Sequence, residues 1–506
     1  MRRLVLVAAI TLLALIPLGV AGHTRARPQR IPAVPLLFGP SLRLSDPSRY
    51  PADDPQYARQ ALPDAEPSVA VAADGTVWVA ALHEQHGTAL WRGRVGTTTP
   101  AFVGQPDGGV GGNDVALALG ANPPISPTAP VTPVTPITSA VVGTSITGTL
   151  PFSSPIEPPT LYVAALTSIT QPVAASRVAM TSCPRSDVTH AFRACALYPH
   201  LVYGRRDRPW LATYGRATVY LSYLTRGDDQ LSGHVTVRRS DDAGVTWRVV
   251  GDPVAALPPI HGWSGNLAVD PRDGTVYEVF VTETPEQGRE NGGGGDISGH
   301  FNRIVVARSR DGGATWRDTL VYQGGSGEDD ANMWPGLAID AAGRLYAAWS
   351  DRRRVLLASS TDGGTTWSTA RRVGTSTAIG ARANVLPSIT AGAAGHVALA
   401  WYGADTWDSL SPHARWRIYA ATSSDGGAAF SATAATDVVH QGPICTKGDA
   451  CPDLQRQLLD NLGLALDPRT NRAVIAYGRS IEFGDYHACR RAANCPQTYY
   501  VEQIAP

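Results

Sequence analysis

The sequence predicts an all-β fold, a β-propeller of four-stranded blades, with seven blades as the leading count and six as the alternative. Three observations carry this. The octapeptide "SDDAGVTW" (240–247) recurs as "SRDGGATW" (309–316), "STDGGTTW" (360–367) and "SSDGGAAF" (423–430). Pairs of alternating apolar runs, each joined by a few turn residues, recur along the chain, as in "SVAVAADGTVWVA" (68–80) and "NLAVDPRDGTVYEVF" (266–280). Asp-Gly between two period-2 runs is a strong hairpin signal. The first strands of these hairpins, at Val69, Val115, Leu211, Leu267, Leu337, Ile389 and Leu464, are spaced by one blade with generous loops, once one insertion is set aside.

From the N-terminus, "MRRLVLVAAITLLALIPLGVAGH" has two arginines, an apolar core and small residues at its exit. Residues 1–22 therefore read as a signal peptide, which makes the chain secreted or cell-surface. Residues 23–60 form an N-terminal segment in which "AVPLLFGPSLRL" (33–44) is expected to supply the outer strand of the last blade. After the last hairpin only "TYYVEQI" (498–504) remains, enough for a third strand and not a fourth. Residues 61–506 form the propeller. In the second hairpin, "DVALALGANPP" (114–124) and "PTLYVAAL" (159–166) are separated by a Pro/Thr/Ser-rich insertion at about 122–160. That composition cannot bury a core.

The hairpin supplies strands A and B of each blade, and the octapeptide joins strands C and D. Radial repetition then leaves few exposed sheet edges. Each first strand carries small residues, mostly Ala, between branched ones, as a crowded inner strand requires. In the octapeptide, Asp362 is placed to accept backbone N–H bonds within its own turn, Gly364 to take a positive φ, and Trp367 to be buried between sheets. The same roles fall to Asp242, Gly244 and Trp247, to Asp311, Gly313 and Trp316, and to Asp425, Gly427 and Phe430, with Ser240, Ser309, Ser360 and Ser423 opening the turns.

The 506 residues carry 43 basic and 43 acidic side chains, so no global field favours nucleic acid. Lys447 is the only lysine. No second apolar run could span a membrane once the leader is cleaved. Six cysteines in an exported chain favour disulfides. The expected local pairs are Cys183–Cys195, Cys445–Cys451 and Cys489–Cys495, all on D–A or B–C loops, with a bridge between the 445–451 and 489–495 loops as the rival. No metal or cofactor is expected: paired CxxC spacings are absent, and "HEQH" (83–86) lacks the HExxH spacing and reads as an exposed turn.

The four octapeptides match the Asp-box, or BNR, pattern Ser-x-Asp-x-Gly-x-Thr-Trp, with only Ala429 and Phe430 departing. The chain thus resembles the sialidase-like, BNR-repeat propeller superfamily over nearly all of residues 60–506. The resemblance implies that these turns are peripheral fasteners and that ligands bind on the opposite face, where D–A and B–C loops converge. That face gathers Trp263, Trp334 and Trp407 as candidates to stack on sugar rings. For an exo-sialidase the resemblance implies three arginines on the sugar carboxylate, for which Arg208, Arg352 and Arg479 are the candidates. It also implies a tyrosine–glutamate nucleophile pair, Tyr477 with Glu482, and an acid, Asp351. "QRIPAV" (29–34) looks like the family's Arg-Ile-Pro motif but stands too far before the first hairpin. Three readings follow: a secreted propeller recognising an extracellular glycan or protein ligand, an exo-sialidase, and a non-catalytic cell-surface scaffold.

Overall fold

The computed structural model describes residues 36–45, 64–83, 87–120, 160–167, 177–184, 192, 195–202, 206–226, 233–254, 262–284, 300–325, 327–374, 380–447, 451–452, 455, 458, 460–480 and 497–505. The signal-peptide reading of residues 1–22, the Arg-Ile-Pro segment, residues 121–159 of the insertion, Glu482, Cys489 and Cys495 all lie outside these.

Seven antiparallel sheets follow one another along the chain, giving a seven-bladed β-propeller. Blade 1 contains Asp64–Val71, Thr76–His83, Thr88–Arg94 and Thr98–Gly104, hydrogen-bonded in that order from strand A to strand D. The same A-B-C-D order holds for blade 2 from Asn113–Leu119 to Ala196–Val202, blade 3 from Arg206–Tyr214 to Arg248–Gly251, and blade 4 from Gly262–Val269 to Arg317–Gln323. It continues in blade 5, from Gly336–Ile339 to Arg371–Arg372, and in blade 6, from Ala383–Ala391 to Ser431–Ala434. The interrupted hairpin is a true blade, so the six-blade alternative falls. In blade 7, Gly463–Leu466 and Ala473–Arg479 are followed by Gln497–Ala505, whose far edge pairs with Leu37–Phe38 and Leu42–Arg43. Strands from distant parts of the chain thus share one sheet.

The inner strands meet at the axis with almost no room. A Cβ on Gly265 of blade 4 would lie 1.9 Å from the Pro335 carbonyl oxygen of blade 5, and one on Gly463 of blade 7 would lie 2.9 Å from the Pro67 carbonyl of blade 1. Backbone against backbone at that spacing tolerates no side chain. Between these contacts Asn266 ties two blades like an extra rung, its Nδ2 donating to the Leu337 carbonyl at 2.8 Å and its Oδ1 accepting from the Leu337 N–H at 2.6 Å. In blades 1, 4, 5 and 6 the B strands are buried along their whole length, since both faces are covered by neighbouring blades. The largest apolar cluster runs through blades 3 to 7.

All four octapeptides connect strands C and D. In each, the serine hydroxyl donates to the aspartate Oδ1 at 2.7–2.8 Å and accepts the buried glycine N–H at 2.8–2.9 Å. Thr246, Thr315 and Thr366 close the turn by donating Oγ1–H to the other carboxylate oxygen at 2.6 Å, a bond Ala429 cannot make. The glycines take φ between +77° and +100°, the region a Cβ disfavours. The aromatic that ends each turn, Phe430 included, is half-buried against a core cluster. These bonds to the ionised carboxylate hold Asp311 down at about 2 and Asp362 lower still, with the threonine hydroxyl the largest cause.

Cys183 is joined to Cys195, and Cys445 to Cys451. The placement of the first pair corrects an expectation. Cys183 lies in strand C of blade 2 and Cys195 just before strand D, so this bridge sits in the C–D connection on the octapeptide side. The expectation of an exposed turn at residue 83 is also corrected: His83 ends strand B of blade 1, buried, with Nδ1 2.7 Å from Asp64 Oδ1.

Replacing Ser360 by Ala removes the acceptor for the buried Gly364 N–H. We expect a loss of about 1–3 kcal/mol in guanidinium unfolding at constant m-value. Unchanged unfolding would deny this turn its fastening role.

Candidate functional site

The loop face opposite the octapeptides holds two polar constructions, one on the axis and one off it. Strand A of several blades has an irregularity near its start, between Ala65 and Ser68, Asn113 and Val115, Asp207 and Trp210, Ser264 and Leu267, and Val385 and Ser388. Four non-glycine residues there take positive φ: Glu66 (50°), Asp114 (35°), Arg208 (40°) and Leu386 (55°). On the axis, Arg208 Nη1 donates to Glu66 Oε2 at 3.2 Å and to Asp114 Oδ1 at 2.9 Å. Glu66 Oε1 accepts the Asp460 N–H at 2.9 Å. The guanidinium carbon lies 4.8 Å from the Trp210 ring centroid and 5.5 Å from that of Trp334, which itself packs at 5.0 Å on Trp263. Burial, then the neighbouring Asp114 carboxylate, push Glu66 well above the usual glutamate range, and Arg208 only partly offsets them. Burial works against the charge on Arg208, but Asp114, Glu66 and Asp460 outweigh it and raise its pKa.

Off the axis, an 830 Å³ cleft opens among loops of blades 4, 5 and 6. Its walls include Glu328 and Asp329 before blade 5, Asp351 to Arg354 in that blade's B–C loop, and Trp407 with Asp408 in the B–C loop of blade 6. Trp407 is 55 % exposed, with Arg382 over its ring at 6.0 Å. Asp351 Oδ2 and Glu328 Oε1 meet on one nitrogen of Arg354, at 2.5 and 3.0 Å. Arg352 Nη2 and Lys447 Nζ converge on Asp329 Oδ2, at 3.3 and 2.5 Å. Beside these, Asp330 is wholly buried, and neither carboxyl oxygen has a hydrogen-bond partner among the described residues. Burial first, then the charges of Glu328, Asp351 and Asp329, raise it to about 8, so it is a neutral acid at pH 7.

The sequence candidates are thus divided. Asp351, Arg352 and Trp407 share the cleft. Arg208 is buried on the axis, and Trp263 and Trp334 are core side chains at 4 % and 6 % exposure. Arg479 lies in strand B of blade 7, its guanidinium carbon 5.0 Å from the Tyr499 centroid. Among the described residues, only Arg352 of the three proposed anion-binding arginines lines the cleft. Tyr477 is fully buried, its hydroxyl bonded to Ser41 Oγ at 2.6 Å and its ring stacked on Tyr499 at 6.0 Å. Burial pushes that phenol up to about 12. Sequence reasoning missed Arg354, Arg372 and the role of Lys447; the run of three acids at 328–330 and of three arginines at 352–354 was the available signal. No group of three or more acidic, histidine or cysteine side chains suited to a metal ion occurs among the described residues.

No protein-family profile matches the chain, and no curated protein does. Solved structures similar to it include an α-L-arabinofuranosidase from Fusarium graminearum, at 12 % identity and TM-score 0.43 over 72 % of this chain and 93 % of that one. An α-L-arabinanase from Penicillium chrysogenum complexed with arabinobiose gives 12 % and 0.44 over 72 % and 94 %. The Aleuria aurantia lectin in complex with α-methyl-L-fucoside gives 8 % and 0.39 over 77 % and 99 %. Likeness at this level leaves the chemistry of the cleft to be read from its own residues.

Two outcomes are expected here. Arg208→Met leaves buried Glu66 and Asp460 and half-buried Asp114 without their cation and should cost about 3–5 kcal/mol in denaturant unfolding at pH 7. The loss should shrink as the pH is lowered, because burial and the Asp114 carboxylate raise Glu66 above its usual range and a proton there removes one of the stranded charges. Equal stability of variant and wild type at pH 7 would rule out the ionic plug. For Asp330 the folded pKa lies above the unfolded one, so the folded state binds more protons between 3.8 and about 8. Stability from this group is present at low pH and is lost as pH rises through that window. Asp330→Asn should therefore flatten the fall in melting temperature as pH rises from about 5 to about 8, and parallel profiles would exclude it.

Proposed function

We propose that this chain is an exported, sialidase-like Asp-box propeller that binds a glycan in the cleft between the loops of blades 5 and 6. The observation that carries the reading is Trp407, a large aromatic face left 55 % exposed in a cleft walled mainly by arginines and carboxylates. Sugar rings offer apolar C–H faces to an indole and vicinal hydroxyls to planar charged groups, and a few convergent polar groups fix orientation. Two disulfides and the leader-like N-terminus support export. Among the described residues no helix is long and apolar enough to cross a membrane.

The exo-sialidase reading fits the geometry less well. A tyrosine nucleophile needs an accessible phenol with a depressed pKa or an adjacent base. Tyr477 has neither access nor depression, and its hydroxyl is engaged by Ser41.

The test is titration of the purified protein against a panel of neutral and acidic oligosaccharides, followed by Trp407→Ala on any ligand found. We expect about a five- to thirtyfold loss of affinity, from one stacking contact on the order of 1–2 kcal/mol, with an unchanged melting temperature. Absence of binding across the panel would overturn the reading, as would full affinity in the variant. Release of sialic acid from a chromogenic glycoside, retained by Tyr477→Phe, would point to hydrolysis by other groups.

A further inference from the structure

The Cys445–Cys451 disulfide spans six positions ahead of blade 7, and residues 444–447 beside it reach across to blades 5 and 6. Just before it, the Ile444 N–H donates to the Ser409 carbonyl at 2.7 Å, two residues from Trp407. The Cys445 N–H donates to the Gln455 carbonyl at 2.8 Å, and the Lys447 N–H to Cys451 Sγ at 3.1 Å. From inside the loop, Thr446 Oγ1 donates to Asn332 Oδ1 at 3.1 Å and Lys447 Nζ to Asp329 Oδ2 at 2.5 Å.

Those two acceptors are the ones that hold Arg352. Its Nε donates to Asn332 Oδ1 at 3.0 Å and its Nη2 to Asp329 Oδ2 at 3.3 Å. Arg352 also has a backbone φ of 70°, an unfavourable region for a residue with a Cβ. Its amide is held by Ser350 Oγ at 2.9 Å and its carbonyl by the Asn384 N–H at 2.7 Å. A strained arginine on the cleft wall therefore shares both of its side-chain acceptors with a disulfide-closed loop from another blade.

We propose that the Cys445–Cys451 loop is a redox-sensitive latch on the cleft: intact, it fixes Asp329, Asn332 and hence Arg352 in the ligand-binding arrangement, and its reduction by a dithiol releases them and weakens binding. The affinity part of this inference rests on the glycan-binding reading, whereas the latch itself does not. Cys451 is the more exposed of the two residues, since Cys445 is buried, and attack depends on access. A thiolate of the dithiol attacks Cys451 Sγ, forming a mixed disulfide and expelling the Cys445 thiolate, which takes up a proton. The second thiol of the reductant then closes on the first and releases Cys451. Two electrons and two protons pass to the protein as two thiols, and the reductant leaves as a disulfide. Cys183, by contrast, is fully buried in the apolar cluster of blades 1 and 2.

The test is hydrogen exchange on the full chain, comparing wild type, wild type in dithiothreitol, Cys445→Ser/Cys451→Ser and Lys447→Met. Peptides covering 328–334 and 405–411 should exchange at least about tenfold faster once the latch is open, with blades 1 to 3 unchanged. Lys447→Met, which keeps the disulfide, should show a smaller rise confined to 328–334. The double variant Cys183→Ser/Cys195→Ser serves as control and should leave both segments as in wild type. Unchanged exchange in the opened forms overturns the latch, as does an increase spread over every blade. If a ligand emerges from the oligosaccharide panel, its affinity should fall at least about fivefold on opening, and equal affinity overturns regulation of the site. Failure of every oligosaccharide to bind wild type sinks the glycan reading alone, because the exchange result stands independently.

Discussion

Seven sheets converging on one axis leave little volume there, and that crowding governs the rest of the molecule. Where Gly265 faces the Pro335 carbonyl and Gly463 faces Pro67, the backbones of adjacent blades are in contact and a methyl group does not fit. Small residues on strand A follow directly, as do the wholly buried B strands further out, where the blades have diverged enough for Trp349 and Trp401. Crowding also explains the irregularities near the start of strand A. A regular strand would continue into the axis, and the extra residue turns the chain aside while aiming one side chain inward.

Those inward positions are where the repeat stops being symmetric. Glu66, Asp114 and Arg208 hold matching places in blades 1 to 3, yet carry opposite charges, and Asp460 of blade 7 closes the group. Removing such charges from water costs several kcal/mol each, which direct pairing repays only when geometry is good. Arg208 meets that condition by bonding two carboxylates and lying against two tryptophans. An apolar plug would fill the space as well. What the ionic one adds is register: blades 1, 2, 3 and 7 each contribute a member.

Most of the fold was legible in the sequence because its signals are local. Period-2 runs around Asp-Gly turns reveal hairpins, and the octapeptide encodes its own hydrogen bonds, so each copy could be read alone. The site depends on which loops share a neighbourhood, and no local pattern reports that. Trp263, Trp334 and Trp407 look alike as letters in loop-face segments, but two of them pack together in the core and one is left in the cleft. Tyr477 misleads for a different reason. It ends the apolar run "AVIAY" in strand B, where both sheet faces are covered, so its burial follows from that run more directly than any chemical role does. The bond between Lys447 and Asp329 spans 118 positions of sequence and was invisible without the ring.

With the axis filled by Arg208 and its partners, the cleft on this face lies off-centre. The B–C loops of blades 5 and 6, at 351–354 and 405–414, help to wall it, and Ile444 and Lys447 tie it to the segment ahead of blade 7. Charge there is arranged in shared contacts: one guanidinium nitrogen serves two carboxylates, and one carboxylate oxygen serves two cations. Such networks fix geometry more firmly than isolated surface pairs, each of which contributes roughly 0–1 kcal/mol. The wholly buried acid Asp330 completes the arrangement, because a neutral carboxyl beside Glu328, Asp329 and Asp351 spares the network a fourth negative charge. The octapeptide face repeats one rigid device four times. The loop face instead builds its cleft from unlike loops of blades 4, 5 and 6.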